Sequence, residues 1–215
     1  VDINNDFALL AHFGMSLPGA LMLERLAPGE IPDWVEEKNS GRIITVKTPT
    51  ADDVSLAGVQ IKFSGNKNKD DRYNLLPSSD NTLIIKTPST VYRNVPENEY
   101  SSMKLAQAIG VIIPEINLVN LDALDNLPDI QLPNEQYAYT IKRFDRVEGL
   151  GDVSRIHMED FAQIAELYPH EKYEGVNYEI IGGVIYRYSA QPLADIQQMA
   201  RRLLANILLG NGDAH

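Results

Sequence analysis

Hydrophobic and polar positions change texture twice along this chain. Residues 7–14 read as a short helix, Leu17-Pro18-Gly19-Ala20 as a turn, and 20–23 as an apolar stretch. Pro28, Gly29, Pro32 and Gly41 then punctuate residues 27–41, which predicts a connector holding at most a short helix. From Arg42 the pattern becomes a series of short β-prone runs, at 43–46, 59–63, 73–76 and 83–86, each bounded by Gly, Pro, Asn, Asp or Ser. With a polar, charged turn at 65–71, these runs predict a meandering antiparallel sheet. A helix is predicted over 96–109, with Gly110 as its C-terminal stop. Strands at 111–119 and 137–144 follow, on either side of a Pro- and Asp-rich loop at 120–135. After Asp145 the pattern is mainly helical, at 158–168 and 193–209. In the second helix Leu193, Ile196, Met199, Ala200, Leu203, Leu204, Ile207 and Leu208 form a sustained stripe at helical spacing. The order is α+β: a strand-rich lobe with one helix, a crossing strand, and a helical lobe.

A chain of 215 residues holds either one large core or two small lobes, and the change of texture near Asp145 favours two. Hydrophobic content of 44% is ordinary for a folded domain, and no apolar run approaches the roughly 20 residues that span a bilayer. Zero cysteines exclude disulfides and thiolate metal sites and fit a cytoplasmic protein. His12, His157, His170 and His215 are scattered and give a zinc cluster little support. Net charge is −11, from 19 basic and 30 acidic side chains, which disfavours direct nucleic-acid binding. A basic partner protein, or a substrate brought with a divalent cation, suits this surface better, although a solvated exterior is the ordinary meaning of such charge. The first six residues carry neither a basic nor an apolar signal segment, and both ends of the chain are expected to be cut.

Candidate chemistry lies on a few polar residues in apolar settings. Lys86 sits in an apolar strand, on the same face as Ile84; an isolated lysine there is more often an edge residue that snorkels to solvent. Glu99 shares a helix face with Met103 and Ala106, and a carboxylate turned toward a core needs a cation. Lys86 is the nearest upstream candidate, while a helix-start Glu favoured by the dipole is the competing reading. The segment Ser55-Leu56-Ala57-Gly58-Val59-Gln60-Ile61-Lys62 has one glycine before a strand, a weak phosphate-loop signal that most hairpin turns would also give. Asp145 ends a strand where the lobes would meet, placed either to reach a ribose hydroxyl or to cap a helix. Asp213, beside Gly212 after a long helix, is either a capping residue or a general base.

In this order, the segments "FALLAHFGMSLPGAL", "SLAGVQIK", "LIIKTPS", "ENEYSSMKLAQAIGVIIPE", "IKRFDR", "RIHMEDFAQ", "KYE" and "ANILLGNGDAH" resemble the HipA family of bacterial serine/threonine kinases, the toxins of toxin–antitoxin modules. The resemblance implies a bilobal protein-kinase-like (phosphoinositide-kinase-like) fold, with an antiparallel-sheet N-lobe and the start of a helical C-lobe. Residues 1–41 would be the remnant of the N-terminal subdomain and connector, 42–144 the N-lobe, and 145–215 the first part of the C-lobe. It further implies that Lys86 contacts the phosphates of ATP with Glu99 as its helix partner. Ala57, Gly58, Val59 and Lys62 belong to the nucleotide-covering loop. Lys142 and Phe144 offer hinge backbone to adenine, Asp145 binds ribose, Ser55 is autophosphorylated, and Asp213 is the catalytic aspartate.

The family's Lys-Asn pair and later metal-binding Asp do not follow Asp213. No metal ligand is therefore expected within the chain, although ATP and Mg2+ are the cofactors implied, and the chain alone is expected to be inactive. The resemblance also implies a HipB-like DNA-binding antitoxin as partner, an aminoacyl-tRNA synthetase as protein substrate, and the bacterial cytoplasm as location. The alternative is a non-catalytic module that keeps the fold and acts only through its antitoxin.

Overall fold

The computed structural model describes residues 14, 17–23, 61–76, 78, 80–148, 153–168, 171 and 175–212. The expected strand at 43–46, most of the expected helix at 7–14, and Ser55, Ala57, Gly58, Val59 and Asp213 lie outside the described residues. The described chain runs through β1 (Lys62–Lys67), β2 (Tyr73–Asn74), β3 (Leu83–Lys86), α1 (Val95–Ala108) and β4 (Ile116–Asn120). A 3-10 turn (Leu121–Ala123), β5 (Leu124–Asp125), β6 (Tyr137–Lys142), β7 (Arg146–Glu148) and β8 (Val153–Arg155) follow. Three helices complete it: α2 (Phe161–Ile164), α3 (Tyr178–Tyr188) and α4 (Pro192–Leu209).

The six strands β1 to β6 form one sheet in the order β4-β6-β3-β1-β2-β5, and β7 and β8 form a separate hairpin. The sheet is mixed rather than the antiparallel meander expected, because β5 runs parallel to β2 while every other pairing is antiparallel. Asn120 accepts from the Asp122 amide at 3.1 Å and tightens the turn after β4. The chain then enters beside β2, where Arg72 pairs with Asp125 at 2.6 Å and the Leu75 amide donates to Asp125 O at 3.1 Å. A strand of two residues leaves no periodicity to read. β1 also lies later than expected, at residues 62–67, and takes in Gly65 from the polar turn. A Cβ at Gly65 would lie 2.6 Å from Asn74 O and 2.8 Å from Ile85 Cδ1, so β1 can pass between its neighbours only with glycine there.

Register divides the sheet into two faces. Tyr73, Leu75, Ile85, Val119, Leu124 and Ala138 form the core, with Phe63, Leu83 and Leu127 packed against it. Ile85 pairs with Phe63 and Thr140, so alternation turns Lys86 and its neighbours to the opposite face, where α1 packs on β6. α1 ends as predicted: Gly110 has φ of 88°, and the Gly110 and Val111 amides return to Gln107 O and Ala106 O at 3.0 Å.

The helical part departs further from the pattern. Only Phe161–Ile164 of the expected helix 158–168 forms; Asp160 and Gln163 make a capping box at its start, and Glu166 at φ 58° ends it. α3 was not expected, because Gly182-Gly183 interrupts its apolar spacing. It forms against α4, on which it packs along its length, and a Cβ at Gly182 would meet Met199 of α4 only at an ordinary contact distance of 3.9 Å. On α4, Ala205 is buried and Ile196, Met199 and Leu203 are half-buried, whereas Leu193, Leu204, Ile207 and Leu208 of the predicted stripe are exposed.

A buried charge cluster joins the end of β6 to the hairpin and to residues 17–19. The Asp145 carboxylate, almost wholly buried, accepts from Arg143 Nε at 2.9 Å, Arg143 Nη2 and Arg146 Nη1 at 2.8 Å, and the Gly19 amide at 2.7 Å. Further guanidinium protons go to backbone oxygens, Arg146 Nη1 to Gly19 O at 2.9 Å and Arg146 Nη2 to Leu17 O at 3.0 Å, while Arg146 Nε is buried with no hydrogen-bond partner among the described residues. Ile156 donates its amide to Asp145 O at 3.1 Å, which extends the hairpin. Burial favours the neutral acid, yet the Arg143 hydrogen bonds, the Gly19 amide and the charges of Arg143 and Arg146 outweigh it and hold Asp145 at about 2.

Two outcomes follow from this packing. A Cβ at Gly183 meets nothing within 4 Å, so Gly183→Ala is expected to raise stability by about 0.5–1 kcal/mol in denaturant unfolding; a loss would contradict helix at that position. Asp145→Asn is expected to lower stability at neutral pH by about 3 kcal/mol, since two buried guanidiniums lose their counter-charge. A carboxylate with a depressed folded-state pKa stabilises above its unfolded value near 3.8 and loses that contribution as pH falls toward about 2. The acid limb of the stability curve between about pH 4 and 2 should therefore be flatter in Asp145→Asn than in the parent. Parallel curves for the two proteins would refute the assignment.

Candidate functional site

Cross-strand pairing sets Lys62, Lys86, Tyr139 and Leu118 in one row across β1, β3, β6 and β4, on the face that α1 covers. Lys86 lies directly opposite Tyr139 in the register, and its Nζ stands 5.5 Å from the centroid of that ring. From above, Glu99 on α1 forms an ion pair with Lys86, both side chains being about a quarter exposed or less. The pair anticipated from the strand and helix patterns is thus made, at a half-buried position where Coulomb attraction is weakly screened.

Tyr139 was missed by sequence reasoning. It is wholly buried; burial first, and the Glu99 carboxylate second, push its hydroxyl well above the usual phenol range, so it stays protonated. Its only sequence signal is the alternation of β6, which gains meaning once β6 is registered on β3. Lys62 is the second cation of the row, exposed and directly opposite Lys86. Like charges facing each other across strands repel unless an anion lies between or beside them. Glu99 supplies one negative charge to two ammonium groups, so the row keeps a local excess of positive charge in a chain whose net charge is −11.

The remaining described candidates stand at the end of β6. The Lys142 amide donates to Glu115 O at 2.9 Å and the Arg143 amide to Thr82 O at 2.8 Å, which seat this strand end against its neighbours. Phe144 is 64% exposed just beyond it. Asp145 points into the protein, with both carboxylate oxygens engaged by Arg143, Arg146 and Gly19. Arg143 and Arg146 were not singled out from the sequence, although an acid flanked by two arginines within four residues is a readable sign of a buried charge cluster. Among the described residues, no group of three His, Asp or Glu side chains is arranged to hold a metal ion, and no helix is long and apolar enough to cross a membrane. α4 ends at Gly210, with φ of 64° and its amide on Ile207 O at 3.2 Å; Asp213 follows it in the sequence, outside the described residues.

Comparison with known proteins places this arrangement. Residues 54–215 match the family model described as the HipA-like C-terminal domain. A Sinorhizobium fredii protein (strain NBRC 101917 / NGR234) bearing the name "Putative kinase Y4dM" is 38% identical over 216 residues, covering 99% of this chain and 50% of that protein. The protein named serine/threonine-protein kinase toxin HipA, from Shewanella oneidensis, is 26% identical over 178 residues, covering 75% of this chain and 38% of that protein. Among solved structures, the Shewanella oneidensis MR-1 toxin–antitoxin complex of HipA, HipB and operator DNA contains a chain with a TM-score of 0.63 and 23% identity. That match covers 100% of this chain and 53% of the other, and it shows a shared fold. The chain spans about half the length of the first of these relatives. With the family model matching well over half of its residues, this chain belongs to the HipA-like family.

Proposed function

We propose that the full-length protein is an ATP-dependent protein-serine/threonine kinase of the toxin–antitoxin type. The observation that carries the reading is the Lys62–Lys86 row with Glu99 above it: two adjacent cations on one sheet face, one held by a helix carboxylate, suit the phosphates of a nucleotide. Glu99 aims the Lys86 ammonium through their ion pair. Tyr139 supports it from the strand side through its ring. Ala57, Gly58 and Val59 would bring backbone amides over the same phosphates, and the strand end from Lys142 to Phe144 would present backbone groups to adenine.

For Asp145 a ribose contact requires the carboxylate to leave two guanidiniums and a backbone amide. Its present geometry supports the hinge mechanically instead. Asp213 would accept the proton of the attacking hydroxyl as that oxygen bonds to the γ-phosphorus and the bond to the ADP oxygen breaks. Magnesium, when bound, neutralises phosphate charge in such reactions, and its ligands would come from residues other than those described. Ser55 is the proposed autophosphorylated serine.

The sheet lobe is read as residues 42–144 and the helical lobe as 145–215. As protein substrate we propose an aminoacyl-tRNA synthetase, and as partner a HipB-like antitoxin, the latter supported by the HipB named in the complex that shares this fold. The acidic charge of −11 favours a basic protein partner over direct contact with nucleic acid, and the proposed location is the bacterial cytoplasm.

The full-length protein with magnesium and ATP is expected to incorporate phosphate into itself at Ser55 or into a synthetase. Asp213→Ala should abolish transfer, and Lys86→Ala should lower kcat/KM by about 100-fold or more. If the full-length protein neither binds ATP nor transfers phosphate, the kinase reading falls and a non-catalytic module acting through its antitoxin takes its place.

A further inference from the structure

The helix that carries Glu99 packs on β6 and β4 without burying an apolar stripe. Pro96 is the one residue of α1 that is buried, and Leu105 and Ile109 toward its C-terminal end are 56% and 45% exposed. A helix without a buried apolar stripe is poorly fixed against rolling about its axis. The consequence for the site is large. A carboxylate at the helix's side-chain radius of about 6 Å moves by about 2 Å for a roll of about 20°, enough to part an ion pair.

Polar contacts from α4 hold the far end of α1. Gln198 grips the turn after it on both sides: its Nε2 donates to Gly110 O at 3.1 Å, and its Oε1 accepts from the Ile112 amide at 2.9 Å. One turn further along α4, Arg202 Nη2 donates to Ile112 O at 3.0 Å. The i, i+4 spacing puts Gln198 and Arg202 on one face of α4, so two side chains act on three backbone groups of one short turn. Side-chain burial adds only Val111 to this attachment, since Ile112 is 70% exposed. Gly110, at φ 88°, lets the backbone present its carbonyl there, with Arg201 passing 3.5 Å from the position of a Cβ.

From these contacts we infer that Gln198 and Arg202 are positioning residues that set the roll of α1 and, through it, the Lys86–Glu99 pair. The inference rests on the kinase reading only for its effect on nucleotide. Its mechanical part, α4 holding α1, stands on the hydrogen bonds. The same α4 ends at Gly210, three residues before Asp213 in the sequence.

The test uses the full-length protein and the double variant Gln198→Ala/Arg202→Ala, with Arg202→Lys as the conservative control. Hydrogen exchange of the α1 amides reads the mechanical part without nucleotide; faster exchange in the double variant is expected, and unchanged exchange overturns the inference. Magnesium-ATP affinity reads the coupling. A loss of about fivefold or more is expected in the double variant, with Arg202→Lys close to the parent. In a Lys86→Ala background the double variant should weaken ATP no further, because the contact it positions is gone. Losses that multiply independently in the two backgrounds overturn the coupling. If Lys86→Ala alone leaves ATP affinity unchanged, the kinase reading fails, and the exchange measurement still decides whether α4 holds α1.

Discussion

The geometry of this molecule depends on one buried carboxylate shared between two arginines. Asp145 stands where β6 ends and the hairpin begins, and its charge is balanced inside the protein rather than by solvent. Two guanidiniums bring more donors than one carboxylate can accept. Part of the surplus goes to Leu17 O and Gly19 O, which ties a segment more than a hundred residues away in sequence to the exit of β6. Because unpaired buried charges and donors are expensive, the three side chains and that segment assume their places together. The direction in which the chain leaves the sheet and enters the hairpin follows from this arrangement.

On the other side of the sheet the electrostatics are left partly open. Lys62 and Lys86 face each other across β1 and β3 with one carboxylate between them and α1. This contrast separates a structural cluster from a candidate ligand site. Around Asp145 each oxygen is engaged and access is closed, whereas the lysine row keeps an excess cation and partial exposure.

Much of this was legible in the residue pattern. β3, α1 with its stop at Gly110, and α4 follow from alternation, helical spacing and a C-terminal glycine, all local signals. The Lys86–Glu99 pair was also within reach, because a lysine in an apolar strand and a glutamate on an apolar helix face each need a partner. What escaped has non-local causes. β5 is a strand only because Arg72 and the Leu75 amide receive Asp125. Gly65 belongs to β1 only because two neighbouring strands leave no room for a side chain. α3 is helical despite adjacent glycines because α4 lies along it.

The chemistry of Asp145 shows the division most plainly. The sequence by itself determined that an acid would stand at the end of an apolar strand, and which strands and helices would carry Lys86 and Glu99, since local pattern controls where a segment hides its apolar face. Only the tertiary structure decided that Asp145 is turned inward onto Arg143, Arg146 and Gly19, and that Tyr139 and Lys62 flank Lys86. Strand register and the contact between distant segments assign a polar group its partner. Neither is written in the spacing of the residues that form it.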